Sequence, residues 1–128
     1  MFCSCGSGKL FANCCGPFLA GKAFAATAEQ LMRSRYTAYT KADIAYIIKT
    51  QDAERFADFD VNSAKAWAQH SLWKGLKVLK VVKGSENDNM GVVEFEARYE
   101  ENGERMAIHE VSHFARNEHG QWIYIDFE

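Results

Sequence analysis

Residues 91–99 alternate without a break. Val93, Phe95, Ala97 and Tyr99 fall on one side of an extended chain and Val92, Glu94, Glu96 and Arg98 on the other, which is the period-2 signature of a half-buried strand. Residues 76–83, rich in Val and Leu, and the runs 105–116 and 121–127 read as three more strands. The connections Gly84-Ser85-Glu86-Asn87-Asp88-Asn89, Glu101-Asn102-Gly103 and Asn117-Glu118-His119-Gly120 carry turn residues and suit antiparallel hairpins, not parallel crossovers. Upstream the period is helical. Thr27 and Gln30 frame a capping box and predict a helix over residues 28–42, with an apolar stripe of Ala28, Leu31, Met32, Tyr39 and Ala42. Asp43 predicts the start of a short second helix carrying Ile44, Ile47 and Ile48. Asn62 or Ser63 predicts a third, with Ala64, Trp67, Ala68 and Ser71 on one face. Helices first and a four-stranded meander afterwards make an α+β domain, one antiparallel sheet with helices on one face.

Composition narrows this picture. At 128 residues the chain is the size of one domain, and 48% hydrophobic with 13% aromatic residues is ample core material. Fifteen Lys+Arg against seventeen Asp+Glu give a formal net charge of −2, so the cationic excess of a generic nucleic-acid binder is missing. No apolar run approaches the ~20 residues of a membrane span. Met1-Phe2-Cys3-Ser4-Cys5-Gly6 has neither the basic nor the apolar region of a secretory leader. A cytoplasmic protein is the expectation, and there clustered cysteines bind metal or do redox chemistry more often than they form disulfides.

All four cysteines lie in the first fifteen residues, as Cys3-x-Cys5 and Cys14-Cys15. Four thiolates suit a tetrahedral Zn²⁺ site, closed and therefore structural, not catalytic. Gly6 and Gly8 let the chain turn back between the pairs. Adjacent residues on a regular helix diverge by about 100°, so Cys14 and Cys15 can share one ion only where a helix ends, and Gly16-Pro17 is expected to end it. Lys9 and Lys22 are placed to offset the charge of the site. Two other readings remain: reversible thiol redox chemistry, and Cys14 and Cys15 serving as ordinary small hydrophobes.

The run Cys3-Ser4-Cys5-Gly6-Ser7-Gly8-Lys9-Leu10-Phe11-Ala12-Asn13-Cys14-Cys15-Gly16 resembles the SEC-C motif, the zinc-binding segment named for the C-terminus of the SecA translocase. Leu31-Met32-Arg33-Ser34-Arg35-Tyr36-Thr37-Ala38-Tyr39 and Gly120-Gln121-Trp122-Ile123-Tyr124-Ile125-Asp126 are similar to the YchJ-like family of uncharacterised bacterial proteins. The resemblance implies zinc ligation by Cys3, Cys5, Cys14 and Cys15. It also implies a nuclear-transport-factor-two-like (cystatin-like) cone, a curved antiparallel sheet wrapped around a long helix. Residues 1–22 would then be the zinc segment and residues 23–128 the cone. The resemblance brings no reaction. It points, by analogy only, to a protein partner in translation or secretion.

Arg35 falls inside the apolar stripe of the first long helix, about 20° from Ala28, whereas Arg33 lies about 140° away and is expected to face solvent. A buried guanidinium needs partners, and Glu110 and Asp126 are the candidates. Glu110, Ser112 and Phe114 share one strand face; Trp122, Tyr124 and Asp126 share another. A concave sheet over the helix could enclose Arg35, Tyr39, Glu110, Ser112, Trp122 and Asp126, as a structural ion pair or as a polar pocket for a small ligand or an enzyme's chemistry. No catalytic set is identified. His109 and His113 share the opposite face and read as surface histidines. Trp67, Trp73, Phe56 and Phe59 read as core. The leading functional reading is a non-enzymatic zinc-binding adaptor whose SEC-C segment docks a protein; an enzyme of the cone fold and a thiol redox module are the alternatives.

Overall fold

Thr27 starts the long helix as a cap. Its Oγ1 accepts the Gln30 amide at 3.1 Å, while Gln30 Oε1 reaches back to the Ala26 amide at 2.8 Å. The computed structural model describes all residues, Met1–Glu128. A 3₁₀ turn (Phe11–Asn13) and a four-residue helix α1 (Gly16–Leu19) precede α2 (Ala28–Thr40), α3 (Ile44–Lys49) and α4 (Val61–His70). The strands follow: β1 (Leu72–Lys83), β2 (Met90–Glu101), β3 (Glu104–Arg116) and β4 (Trp122–Phe127). All four pair antiparallel in the order β1-β2-β3-β4. The result is the expected α+β arrangement, a curved meander against helices.

Asp43 caps α3 as its position predicts, its Oδ1 accepting from the Tyr46 amide at 3.1 Å. The cap of α4 is Asp60, not Asn62 or Ser63. Its carboxylate accepts both the Ser63 amide, at 3.0 Å, and the Ser63 hydroxyl, at 2.8 Å. A charged acceptor gains more from the positive end of a helix than a neutral one does, so the helix begins earlier. β1 also begins earlier than expected, at Leu72. A bulge at Lys74, between Trp73 and Gly75, interrupts the alternation that would have revealed it.

The core lies between α2 and the concave face of the sheet, where Leu31, Met32 and Tyr36 meet Val93, Ala97, Phe114 and Trp122. The alternation along β2 holds, with Val93, Ala97 and Tyr99 buried and Arg98 exposed. Ser34 and Thr37 are as buried as the apolar stripe. They are covered because α2 has a second packing partner on its far side, formed by α3 and the cysteine segment: Ser34 Oγ bonds Tyr46 Oη at 2.7 Å and Thr37 Oγ1 accepts from Ser4 Oγ at 3.1 Å. No helix is long and apolar enough to cross a membrane.

Candidate metal centre and cone pocket

The first ten residues form a tight hairpin. The Cys3 amide donates to Lys9 O at 2.8 Å, and Phe2 and Leu10 form an antiparallel bridge. Gly6 and Gly8 carry φ of 78° and 83° at the turn, a region that costs glycine little. Cys14, with φ −131° and ψ −104°, breaks the 3₁₀ turn, and Cys15 is the N-cap of α1. Gly16-Pro17 therefore starts a helix and does not end one, consistent with the preference of proline for the first helical turn. The break at Cys14 separates the two adjacent thiols from a common helical spacing.

The four Sγ atoms all lie within 4.8 Å of one another. Cys5 and Cys14 are 3.6 Å apart and Cys14 and Cys15 3.9 Å. These separations bracket the edge of about 3.8 Å that a tetrahedron with Zn–S near 2.3 Å requires, and all four cysteines are free of disulfides. Cys3, Cys5 and Cys15 are buried and Cys14 is half-buried. The neighbouring Cys15 thiol holds Cys5 well below the usual thiol range despite its burial. The closeness of Cys5, followed by burial, pushes Cys15 up, and burial pushes Cys14 up. Four thiolates this close are mutually repulsive without a cation among them, so the donor set fits a divalent metal. Around the sulfurs, Ser7 Oγ lies 3.2 Å from Cys14 Sγ and Thr37 Oγ1 3.6 Å from Cys3 Sγ.

Arg33 does not face solvent. Its Nη1 donates to Cys5 O at 2.6 Å and its Nε to Glu29 at 2.9 Å. The helix face about 140° from Ala28 is the one on which the cysteine segment docks, and Arg33, Thr37 and Thr40 form a polar row along it. That i, i+4, i+7 spacing was the available signal. Lys9 lies beside Cys14 and Arg33 around a surface depression, whereas Lys22 is simply exposed.

A second feature opens under the sheet, a cavity of about 130 Å³ lined by Arg35, Tyr39, Glu110 and Ser112 together with Tyr124, Trp67 and Trp73. Trp122 and Asp126 are elsewhere. Trp122 is in the core, its Nε1 donating to Ala26 O at 3.1 Å under the Arg116 guanidinium. Asp126 is on the opposite face of the sheet. Phe114 pairs with Tyr124 but His113 pairs with Asp126, so Ile125 is an extra residue and the alternation inverts after Tyr124. Asp126 Oδ2 accepts from Arg55 at 3.2 Å. His113 Nδ1 lies 2.6 Å from its Oδ1, without the angles of a hydrogen bond. His109 lies on that same outer face, 2.6 Å from Glu94.

Arg35 is buried and has no carboxylate partner. Its Nη1 donates to Ile47 O at 2.9 Å and Thr50 Oγ1 at 2.7 Å, its Nη2 donates to Gln51 Oε1 at 3.2 Å, and the guanidinium lies 4.7 Å from the Tyr124 ring centroid. Burial holds its pKa below the ordinary arginine value, opposed by the nearby tyrosines and Glu110. Glu110 Oε2 accepts from Ser112 Oγ and, at 3.0 Å, from Tyr124 Oη. Burial and then the Glu110 charge push the Tyr124 phenol up. Trp67 and Trp73, read from the sequence as core, pack on each other and also form the cavity's aromatic wall.

A four-cysteine hairpin seated on an α+β cone defines a SEC-C motif protein with a nuclear-transport-factor-two-like domain. Residues 27–127 match the family described as "YchJ, middle NTF2-like domain". UPF0225 protein GSU1048 of Geobacter sulfurreducens is 46% identical over 124 residues, covering 97% of this chain and 76% of the relative. The solution structure of RPA3114, a SEC-C motif containing protein from Rhodopseudomonas palustris, matches with a TM-score of 0.88 and 41% identity over 100% of this chain and 98% of that one. The crystal structure of a SEC-C motif containing protein from Psychrobacter arcticus matches with a TM-score of 0.80 and 29% identity over 97% and 80%. The chain belongs to the YchJ-like, UPF0225 family.

Proposed function

We propose that the protein is a non-enzymatic, zinc-binding adaptor of the bacterial cytoplasm. Residues 1–22 bind one Zn²⁺ through Cys3, Cys5, Cys14 and Cys15 and dock a protein partner; residues 23–128 form a cone that carries the segment and binds a small ligand. The observation that carries this reading is the sidedness of the hairpin. Its thiols point inward, while Met1, Phe2 and Leu10 stand 94%, 72% and 46% exposed on the outside. Apolar side chains fixed at a rigid turn are contact residues in search of a surface. Four protein thiolates fill a tetrahedral zinc ion and leave no position for substrate, which favours recognition over catalysis. Resemblance to the SecA segment directs the search for the partner to the translation and secretion machinery.

The double variant Phe2→Asp/Leu10→Asp tests the docking role, because neither residue is a ligand. In-cell cross-linking followed by mass spectrometry should show partner cross-links to residues 1–22 that fall about tenfold or more in the variant, with zinc content unchanged. Equal cross-linking in both proteins would contradict the docking role.

A further inference from the structure

Four of the side-chain donors that line the cone cavity, those of Arg35, Trp73, Ser112 and Tyr124, are engaged within the protein, and one carboxylate oxygen, Glu110 Oε1, is not. Ser112 Oγ and Tyr124 Oη both donate to Glu110 Oε2, and Trp73 Nε1 donates to Ala68 O at 3.1 Å. Arg35 directs both Nη atoms at Ile47, Thr50 and Gln51 and lays its plane against the Tyr124 ring. Glu110 Oε1 receives no hydrogen bond and is not sealed off from solvent. No ion pair joins Glu110 to Arg35 or to any other cation, so its charge is not cancelled by direct contact.

Beside this carboxylate stands an aromatic wall. The rings of Tyr39, Trp67 and Trp73 have centroids 5.0 to 6.1 Å apart. The negative face of an aromatic ring attracts cations, and a free carboxylate oxygen gives them a charge-assisted hydrogen bond. The cavity's volume, about 130 Å³, is close to the ~150 Å³ of an apolar cavity that admits benzene. We propose that the cone binds a small organic cation, a primary or methylated ammonium on a body no larger than one six-membered ring. The head sits on Glu110 Oε1 and the body lies against Trp67 and Trp73. This rests on the reading of the cone as a ligand binder and is independent of the zinc segment.

Three probes of nearly equal size and different charge test it: benzylammonium, benzyl alcohol and benzoate, titrated into the full chain and followed by the indole N–H signals of Trp67 and Trp73, with Trp122 as the internal control outside the cavity. Benzylammonium is expected to bind at least about tenfold more tightly than benzoate, and Glu110→Gln to remove that preference. If Glu110→Gln does not fold, the wild-type protein still decides: added salt must weaken benzylammonium and leave benzyl alcohol unchanged. Equal binding of all three probes, or tighter binding of benzoate on Arg35, overturns the cationic class and leaves the binder reading standing. No saturable shift with any probe overturns both.

Discussion

Replacing Cys5 or Cys15 by serine is expected to abolish stoichiometric zinc binding and release residues 1–22 from the rest of the fold. The segment has little else to hold it. Among its residues only Cys3, Cys5 and Cys15 are buried, and its regular structure is one isolated bridge, a 3₁₀ turn and the four residues of α1. A core of three thiols cannot offset the backbone entropy of ordering so many residues, roughly 1–2 kcal/mol each. Structural zinc supplies about 10–16 kcal/mol in comparably small peptides at neutral pH. Serine keeps the size of the side chain but does not ionise near neutral pH, so it removes one of four anionic ligands. Hydrogen exchange reads the result. Amides of residues 1–22 in the variant should lose their protection, the Cys3 amide among them, while those of Val93, Ala97 and Phe114 keep theirs. Unchanged protection across the hairpin would mean that packing on Arg33 and Thr37, not metal, orders it.

The second large effect is expected at Arg35. Thr50 and Gln51 lead into a segment hydrogen-bonded to β4: the Tyr124 amide donates to Thr50 O and the Asp52 amide to Tyr124 O, both at 2.9 Å. Arg35 thus fastens the middle of α2 to α3 and, through residues 50–52, to the last strand, closing one side of the cone. Hydrogen bonds to a charged group are worth about 1.5–3 kcal/mol each and are not additive, and truncation would also leave a cavity against Tyr124. Arg35→Ala should therefore lower the unfolding free energy by about 3–5 kcal/mol in urea titration. Arg35→Lys should lose about half as much, because a single ammonium cannot span acceptors on Ile47, Thr50 and Gln51. A loss below about 1 kcal/mol for Arg35→Ala would show that the three bonds hold nothing the neighbours do not already hold.

What could be read in the sequence follows from what is local. Thr27 and Gln30 meet across three residues, the alternation of Val93, Phe95, Ala97 and Tyr99 needs only a pleat, and the spacing of the four cysteines needs only a turn; each of these stands in the structure as expected. The remaining features depend on events that a period does not record. The bulge at Ile125 adds one residue to β4 and carries Asp126 to the outer face, and Tyr124 becomes the strand's residue in the cavity. The bulge at Lys74 hides the first residues of β1. Arg35 points inward as its place in the stripe predicts, but its partners are a carbonyl, a hydroxyl, an amide and a ring from elements 12 or more positions away, none of them the carboxylate that charge pairing alone predicts. A helix wheel shows one buried face and so places Arg33 in solvent, whereas α2 has two buried faces and Arg33 lies on the second.

The proposed role of residues 1–22 depends on the cysteine segment being a metal module. Intact native mass spectrometry of protein purified without chelator or affinity metal tests this most directly. The prediction is one zinc ion per chain, removed by chelation in acid, with all four thiols then countable as free. A chain that arrives without metal, and whose mass shows Cys3, Cys5, Cys14 and Cys15 cycling between thiol and disulfide, would contradict it and make the segment a redox module.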